Sequence, residues 1–213
     1  MKRILAICVL ALLPVAAAPA LEEGRDYIAL PTPQPVETGD KIEVREFFWY
    51  GCPHCYSLEP VIDRWLQRKP ANVSFVRTHA TYPSWVTHAR AFYTFAALGA
   101  TAQTHSALFR ALHQQRRPLN TEQDLAAFAQ EQGIDAAKFR QAFNSFGVRT
   151  ELERAKQLVA AYQVTSVPMF AIDGKYITSP AMAGSETAFI AVLDQLVERA
   201  ARERAGAAKG RGR

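Results

Sequence analysis

Apolar and polar residues alternate with a period of two from Ile42 to Phe48, and the wholly apolar run Phe47-Phe48-Trp49-Tyr50 closes the segment. Period two predicts a strand over residues 41–50, buried at its carboxyl end. The spacing then lengthens. Leu58, Val61, Ile62, Trp65 and Leu66 recur at helical intervals and predict a helix over about 53–69, while Val73 to His79 reads as a second strand. Together these make one right-handed βαβ unit. From about 84 to 147 the periodicity is helical, with stops at Gly99, Pro118, Gly133 and Gly147 and N-caps at Thr101, Thr121 and Asp135. A helix over about 149–162 follows, with Leu152, Ala155, Val159 and Tyr162 on one face. Val167–Ile172 and Lys175–Thr178 then read as a hairpin turning at Asp173-Gly174. A last helix from Ser185 to about Arg202 turns Phe189, Val192, Leu193, Leu196 and Val197 to the core. Residues 21–40 carry Pro31, Pro33 and Pro35 and read as irregular after a short strand candidate at Tyr27–Leu30.

The first twenty residues change the setting. Lys2 and Arg3 precede an apolar run from Ile4 to Leu13, and Ala18-Pro19-Ala20 supplies a small-x-small site, so residues 1–20 read as a cleaved secretory signal. The run is too short to cross a bilayer, and Cys8 inside it leaves with the peptide. The chain beyond it then holds two of the three cysteines, as suits an oxidising compartment such as a bacterial periplasm. The formal charge of +5 misleads, since Lys2 and Arg3 go with the signal while Arg204, Lys209, Arg211 and Arg213 lie in a Gly/Ala-rich end. Without those six the body sits near −1, which argues against a nucleic-acid surface. Residues 204–213 read as a basic disordered tail.

Chemistry enters with Cys52-Pro53-His54-Cys55, placed where the first strand hands over to its helix. Proline is best tolerated at the first helical position, and residues three apart on a helix are neighbours, so the two cysteines fall within disulfide range. Cys52 also faces unpaired backbone N–H groups at the positive helix end, which stabilise a thiolate. A structural staple is a poor alternative, because closing so small a loop contributes only roughly 2 kcal/mol. A zinc site needs four ligands, and neither a second cysteine pair nor the spacing of His79, His88, His105 and His113 supplies them. No metal or other cofactor is expected.

Glu46-Phe47-Phe48 leading into Cys52-Pro53-His54-Cys55-Tyr56, with Val167-Pro168 ahead of Asp173-Gly174-Lys175-Tyr176, resembles the DsbA family of periplasmic dithiol oxidases. The resemblance spans essentially the whole chain beyond the signal. It implies an α/β thioredoxin fold with residues 21–83 and 148–203 as its two parts and 84–147 as an inserted helical domain. It also implies a cis-Pro168 packed against the cysteines, with Val167 offering its backbone to an extended substrate. Reoxidation by a quinone-linked membrane partner of the DsbB type follows from the resemblance alone.

Within that frame Cys52 is the attacking sulfur and Cys55 the resolving one, with Pro53 and His54 between them as part of the catalytic motif. If the helix end and a donor from His54 lower the Cys52 pKa to about 4, the reduced form gains about 4 kcal/mol near pH 7, or about 90 mV towards oxidant. Alternation turns Glu46 inward with Ile42, Val44 and Phe48, and Arg77 inward with Val73, Phe75 and His79, so the two can pair across adjacent strands. Glu59 lies one turn beyond Cys55. By resemblance Glu46, Glu59 and Arg77 match positions that tune the redox pair and relay protons, although the family usually has lysine where this chain has Arg77. The expected activity is disulfide donation, by a monomer, to unfolded cysteine-containing exported proteins. The alternatives are a disulfide isomerase or reductase on the same fold, and a thiol-bearing peptide-binding chaperone.

Overall fold

All seven residues of β2 (Ile42–Phe48) are buried, as a strand covered on both faces must be. In the computed structural model, which describes residues 20–211, β2 pairs parallel with β3 (Val73–His79) and antiparallel with β4 (Met169–Ile172). β4 pairs with β5 (Tyr176–Thr178), and β5 with β1 (Ile28–Ala29), giving a five-stranded sheet in the order β1-β5-β4-β2-β3. The β2–β3 register sets Glu46 opposite Arg77 and Phe48 opposite His79. The proposed signal and Cys8 lie outside the described residues.

The helix α1 (Pro53–Arg68) fills the βα connection, buries Cys55, Leu58, Glu59, Ile62 and Trp65, and takes Cys52 as its N-cap with Pro53 just inside. Between β3 and the return to the sheet stand α2 (Val86–Ala97), α3 (Thr101–His113), α4 (Glu122–Glu131) and α5 (Ala136–Phe143). Then α6 (Phe146–Ala161) leads back to β4. The short α7 (Pro180–Ala183) and the long α8 (Glu186–Arg211) complete the fold. One apolar cluster joins Phe48, Tyr50, Cys52 and Cys55 to Phe92, Phe95, Phe109 and Phe128 of the helical block. A second joins Ile42, Val44, Ile62 and Trp65 to Phe170, Phe189 and Leu196. The cysteines therefore lie at the seam between sheet and helical block.

Three local expectations fail for identifiable reasons. Thr121 and Asp135 cap α4 and α5 through their side chains, but α3 begins after Ala100 and Thr101 is already helical. Gly147 does not stop a helix; it lies inside α6, because Ser145 accepts from Val148 N at 3.2 Å and starts the helix earlier. Residues 204–211 are not a disordered tail but the last turns of α8. Alanine-rich sequence favours the helix there, and Arg204 is anchored. Its guanidinium donates to Asp173 at 2.5 and 3.0 Å and to the Gly39 carbonyl at 2.9 Å. The turn it holds has φ of +54° at Asp173 and +68° at Gly174, and a Cβ at Gly174 would collide with the Gln34 carbonyl. Only glycine meets both demands.

Candidate functional site

Cys52 stands where β2 has ended and α1 has not yet begun, so its sulfur sits against the free N–H groups of the first turn. Cys52 Sγ accepts from Cys55 N at 3.4 Å and lies 3.5 Å from the Val167 carbonyl. Both cysteines are free thiols and both are buried, with Cys52 6 % exposed and Cys55 not at all. Cys52 is thus the less buried of the two, though more covered than a solvent-facing nucleophile. Trp49 packs against the apolar cluster that includes Cys52. Its ring folds over Gly51, where any Cβ would collide with it, and stacks on Trp85 at 4.5 Å.

The two sulfurs are electrostatically unlike. A hydrogen bond from the Cys55 thiol draws the Cys52 thiol down to about 6; backbone N–H groups of Cys55 and His54 and the charge of His54 add to it against partial burial. Cys55 moves the other way, because burial and then the adjacent Cys52 thiolate push its thiol up. A Cys52 near 6 is a smaller displacement than the fall to about 4 that helix position suggested. It is worth about 1.4 kcal/mol at pH 7, or about 30 mV for a two-electron couple. The exposed His54 acts through its backbone and charge, and its side chain makes no hydrogen bond to the sulfur among the described residues.

Val167-Pro168 is cis and borders a groove of about 440 Å³ with His54, Ser57, Pro180 and Glu186. The groove runs from the first turn of α1 to the start of α8, and the Val167 carbonyl stands beside Cys52 at its edge.

Beneath the thiols the expected charged residues do meet. Arg77 Nε donates to Glu46 Oε2 at 2.9 Å, and its Nη2 lies 3.2 Å from Glu59 Oε1. One guanidinium thus serves two carboxylates. Burial pushes Glu46 up to about 7 in spite of Arg77, and Glu46 Oε1 has no hydrogen-bond partner among the described residues. Burial would also raise Glu59, but His105 and Arg77 outweigh it and hold that carboxyl below its ordinary value. His105 Nε2 lies 3.1 Å from Glu59 Oε2, and its Nδ1 lies 3.0 Å from the Tyr50 hydroxyl.

Neither His105 nor Tyr50 is singled out by the sequence as a member of this cluster. The available signal was the position of His105 on the apolar face of α3, one turn before Leu108 and Phe109. It marks a buried histidine without saying which acid it meets.

Comparison with known proteins bears on the same architecture. Residues 80–189 match the model of a DSBA-like thioredoxin domain. The chain is 41% identical over 187 residues to the thiol:disulfide interchange protein DsbA of Pseudomonas aeruginosa strain PAO1, covering 87% of each. Against the same-named protein of Azotobacter vinelandii it is 42% identical over 176 residues, covering 82% of each. The crystal structure of Pseudomonas aeruginosa DsbA superposes with a TM-score of 0.80 at 40% identity, over 86% of this chain and 95% of that one.

Proposed function

Because the chain belongs to the DsbA family of thiol:disulfide interchange proteins, we propose that it donates its Cys52–Cys55 disulfide to exported, unfolded proteins. As a thiol:disulfide oxidoreductase it works by thiolate attack on a disulfide. In the oxidised state a substrate thiolate attacks Cys52 Sγ, the Cys52–Cys55 bond breaks, and Cys55 leaves to take up a proton. A second substrate thiolate then attacks the substrate sulfur of the mixed disulfide. Cys52 departs as a thiolate, and the substrate keeps the new disulfide. Two electrons pass from substrate to enzyme, so the enzyme ends reduced, with Cys52 a thiolate and Cys55 a thiol.

The observation that carries this reading is the contrast between the sulfurs. Cys52, held down to about 6, leaves readily, whereas buried Cys55 holds its proton. Pro53 opens the helix that provides the N–H groups, and His54 adds positive charge. Val167 and Pro168 form the edge along which an extended substrate would lie, with the Val167 carbonyl available to its backbone. Glu46, Glu59 and Arg77 tune the pair from beneath. Arg77 itself stays charged, so any proton traffic passes through the carboxylates.

We place the protein in the periplasm, exported by residues 1–20, acting as a monomer and reoxidised by a quinone-linked membrane protein of the DsbB type. Residues 21–83 and 148–203 form its thioredoxin part and 84–147 the insertion, with the return helix starting slightly earlier, at Phe146. Oxidised protein should refold a reduced, cysteine-rich substrate with stoichiometric disulfide transfer and reduce insulin poorly. Efficient insulin reduction would favour a reductase, reshuffling without net transfer an isomerase, and refolding independent of Cys52 a chaperone.

A further inference from the structure

A groove of about 340 Å³ runs between α1 and α3, lined by Tyr56, Glu59, Asp63, Ser106, Phe109 and Arg110. Glu59 is part of its lining, so the groove reaches that carboxylate. Beside Glu59 stands His105, 6 % exposed, with Nε2 3.1 Å from Glu59 Oε2 but outside hydrogen-bond geometry, and Nδ1 3.0 Å from the Tyr50 hydroxyl. The oxidase cycle described above gives this histidine no task, and a buried imidazole against a carboxylate is a proton-holding arrangement. Resting on that oxidase reading, we infer that His105 is the proton reservoir of the redox centre. It takes a proton from the α1–α3 groove when the buried carboxylates give one to Cys55, and releases it when the disulfide re-forms.

Charge balance supports this. When substrate thiolate breaks the Cys52–Cys55 bond, the departing Cys55 sulfur gains an electron pair in an apolar setting and needs a proton. Glu46, buried, with an unpartnered oxygen and a carboxyl pushed up to about 7, is the acid whose charge acts on Cys55 and that can give one. Its carboxylate then shares a single guanidinium with Glu59, leaving two negative charges against one positive. Arg77 cannot respond, since guanidinium keeps its proton. Of the other groups facing His105, Asp63 on α1 adds negative charge, buried His79 on β3 is held neutral near 3, and burial pushes the Tyr50 phenol up. Burial, and after it the Arg77 charge, lower His105 below its ordinary value while Glu59 raises it, so the second carboxylate charge is what draws a proton onto this imidazole, 3.1 Å from Glu59 Oε2. The protons balance: the substrate dithiol releases two to solvent, Cys55 takes one from Glu46, His105 takes one back through the groove, and Cys52 stays a thiolate, so one proton is released in net.

The test is stopped-flow transfer from oxidised protein to a two-cysteine peptide from pH 5 to 8, corrected for peptide thiolate. The unsubstituted chain should show a pH inflection and a solvent deuterium isotope effect. His105→Gln should be slower by about 10-fold with its inflection displaced from that of the unsubstituted chain, since Glu46 still titrates, and added imidazole should restore the rate. His105→Asn serves if the glutamine variant does not fold, and the isotope measurement needs no substitution. Wild-type rate and profile in a folded variant, or no isotope effect in the unsubstituted chain, would overturn the role of His105. A chain that transfers no disulfide at any pH would instead overturn the oxidase reading.

Discussion

The strand β2 carries two buried charge clusters, one on each face, and they differ in how their charges balance. On one face Arg45, 3 % exposed, lies 2.9 Å from Glu43 and 3.1 Å from Glu37 and donates to Thr78 Oγ1 at 2.8 Å, while Glu37 also meets Arg154 at 2.5 Å. Two arginines there face two acids. On the other face Glu46 and Glu59 share Arg77, with His105 as the fourth member. Glu43 and Arg45 are about as buried as Glu46 and Glu59, so burial alone does not mark function. The second cluster has one fixed cation for two acids, burial pushes its Glu46 carboxyl up to about 7, and that Glu46 acts on Cys55. A balanced cluster holds strands together. An unbalanced one beside a sulfur can move protons.

Breaking each cluster at its arginine separates the two. Arg45→Met and Arg77→Met each strand buried carboxylates and should each cost about 3–5 kcal/mol in chemical denaturation. Only Arg77→Met should also shift the thiolate absorbance titration of Cys52 and the pH profile of disulfide transfer. An equal shift in Arg45→Met would erase the distinction.

The next effect is a pH dependence of stability. The Glu46 carboxyl lies above its ordinary value when folded, so its burial opposes folding increasingly as pH rises from about 4.5 to about 7. Over that window the oxidised protein should lose about 3 kcal/mol relative to Glu46→Gln, with no divergence below it. Parallel curves for the two proteins would show that Glu46 is ionised throughout.

Cys52 titrates with the opposite sign. Its folded pKa near 6 lies below the ordinary thiol value, so it stabilises only the reduced form, fully above about 9 and not at all below about 6. Between those limits the reduced form should gain about 1.4 kcal/mol per pH unit over the oxidised form, as paired denaturation curves would reveal. At pH 7 the gain does not exceed the roughly 2 kcal/mol that the short disulfide loop contributes to the oxidised form. The two forms should therefore be close in stability there, with the reduced form ahead only in more alkaline solution. Smallest is Arg204→Ala, which releases Asp173 and Gly39 and should cost about 1–2 kcal/mol without moving the Cys52 titration.

The part of this site that is local or in register was legible in the sequence. Cys52 and Cys55 follow from helix spacing, and Glu46 opposite Arg77 follows from strand alternation once β2 and β3 are adjacent. Val167-Pro168 came through family resemblance rather than periodicity. What stayed hidden depends on packing between distant segments. His105 reaches Glu59 only because α3 packs on α1, and Trp49 meets Trp85 across the seam to the helical block. The end of α8 was misread because its composition resembles that of a solvated tail, while its anchor on Asp173 is a tertiary contact.

The central claim is that Cys52 is a thiolate at neutral pH while Cys55 is not, and the most direct test is the glutathione redox midpoint measured against pH. For a two-electron couple the midpoint falls by about 59 mV per pH unit when reduction adds two protons and by about 30 mV when it adds one. The account predicts the steeper slope below pH 6 and the shallower one from pH 6 to 8, with the break at the Cys52 titration. A single slope of about 59 mV per unit through pH 8 would mean that Cys52 remains protonated, and it would contradict the account.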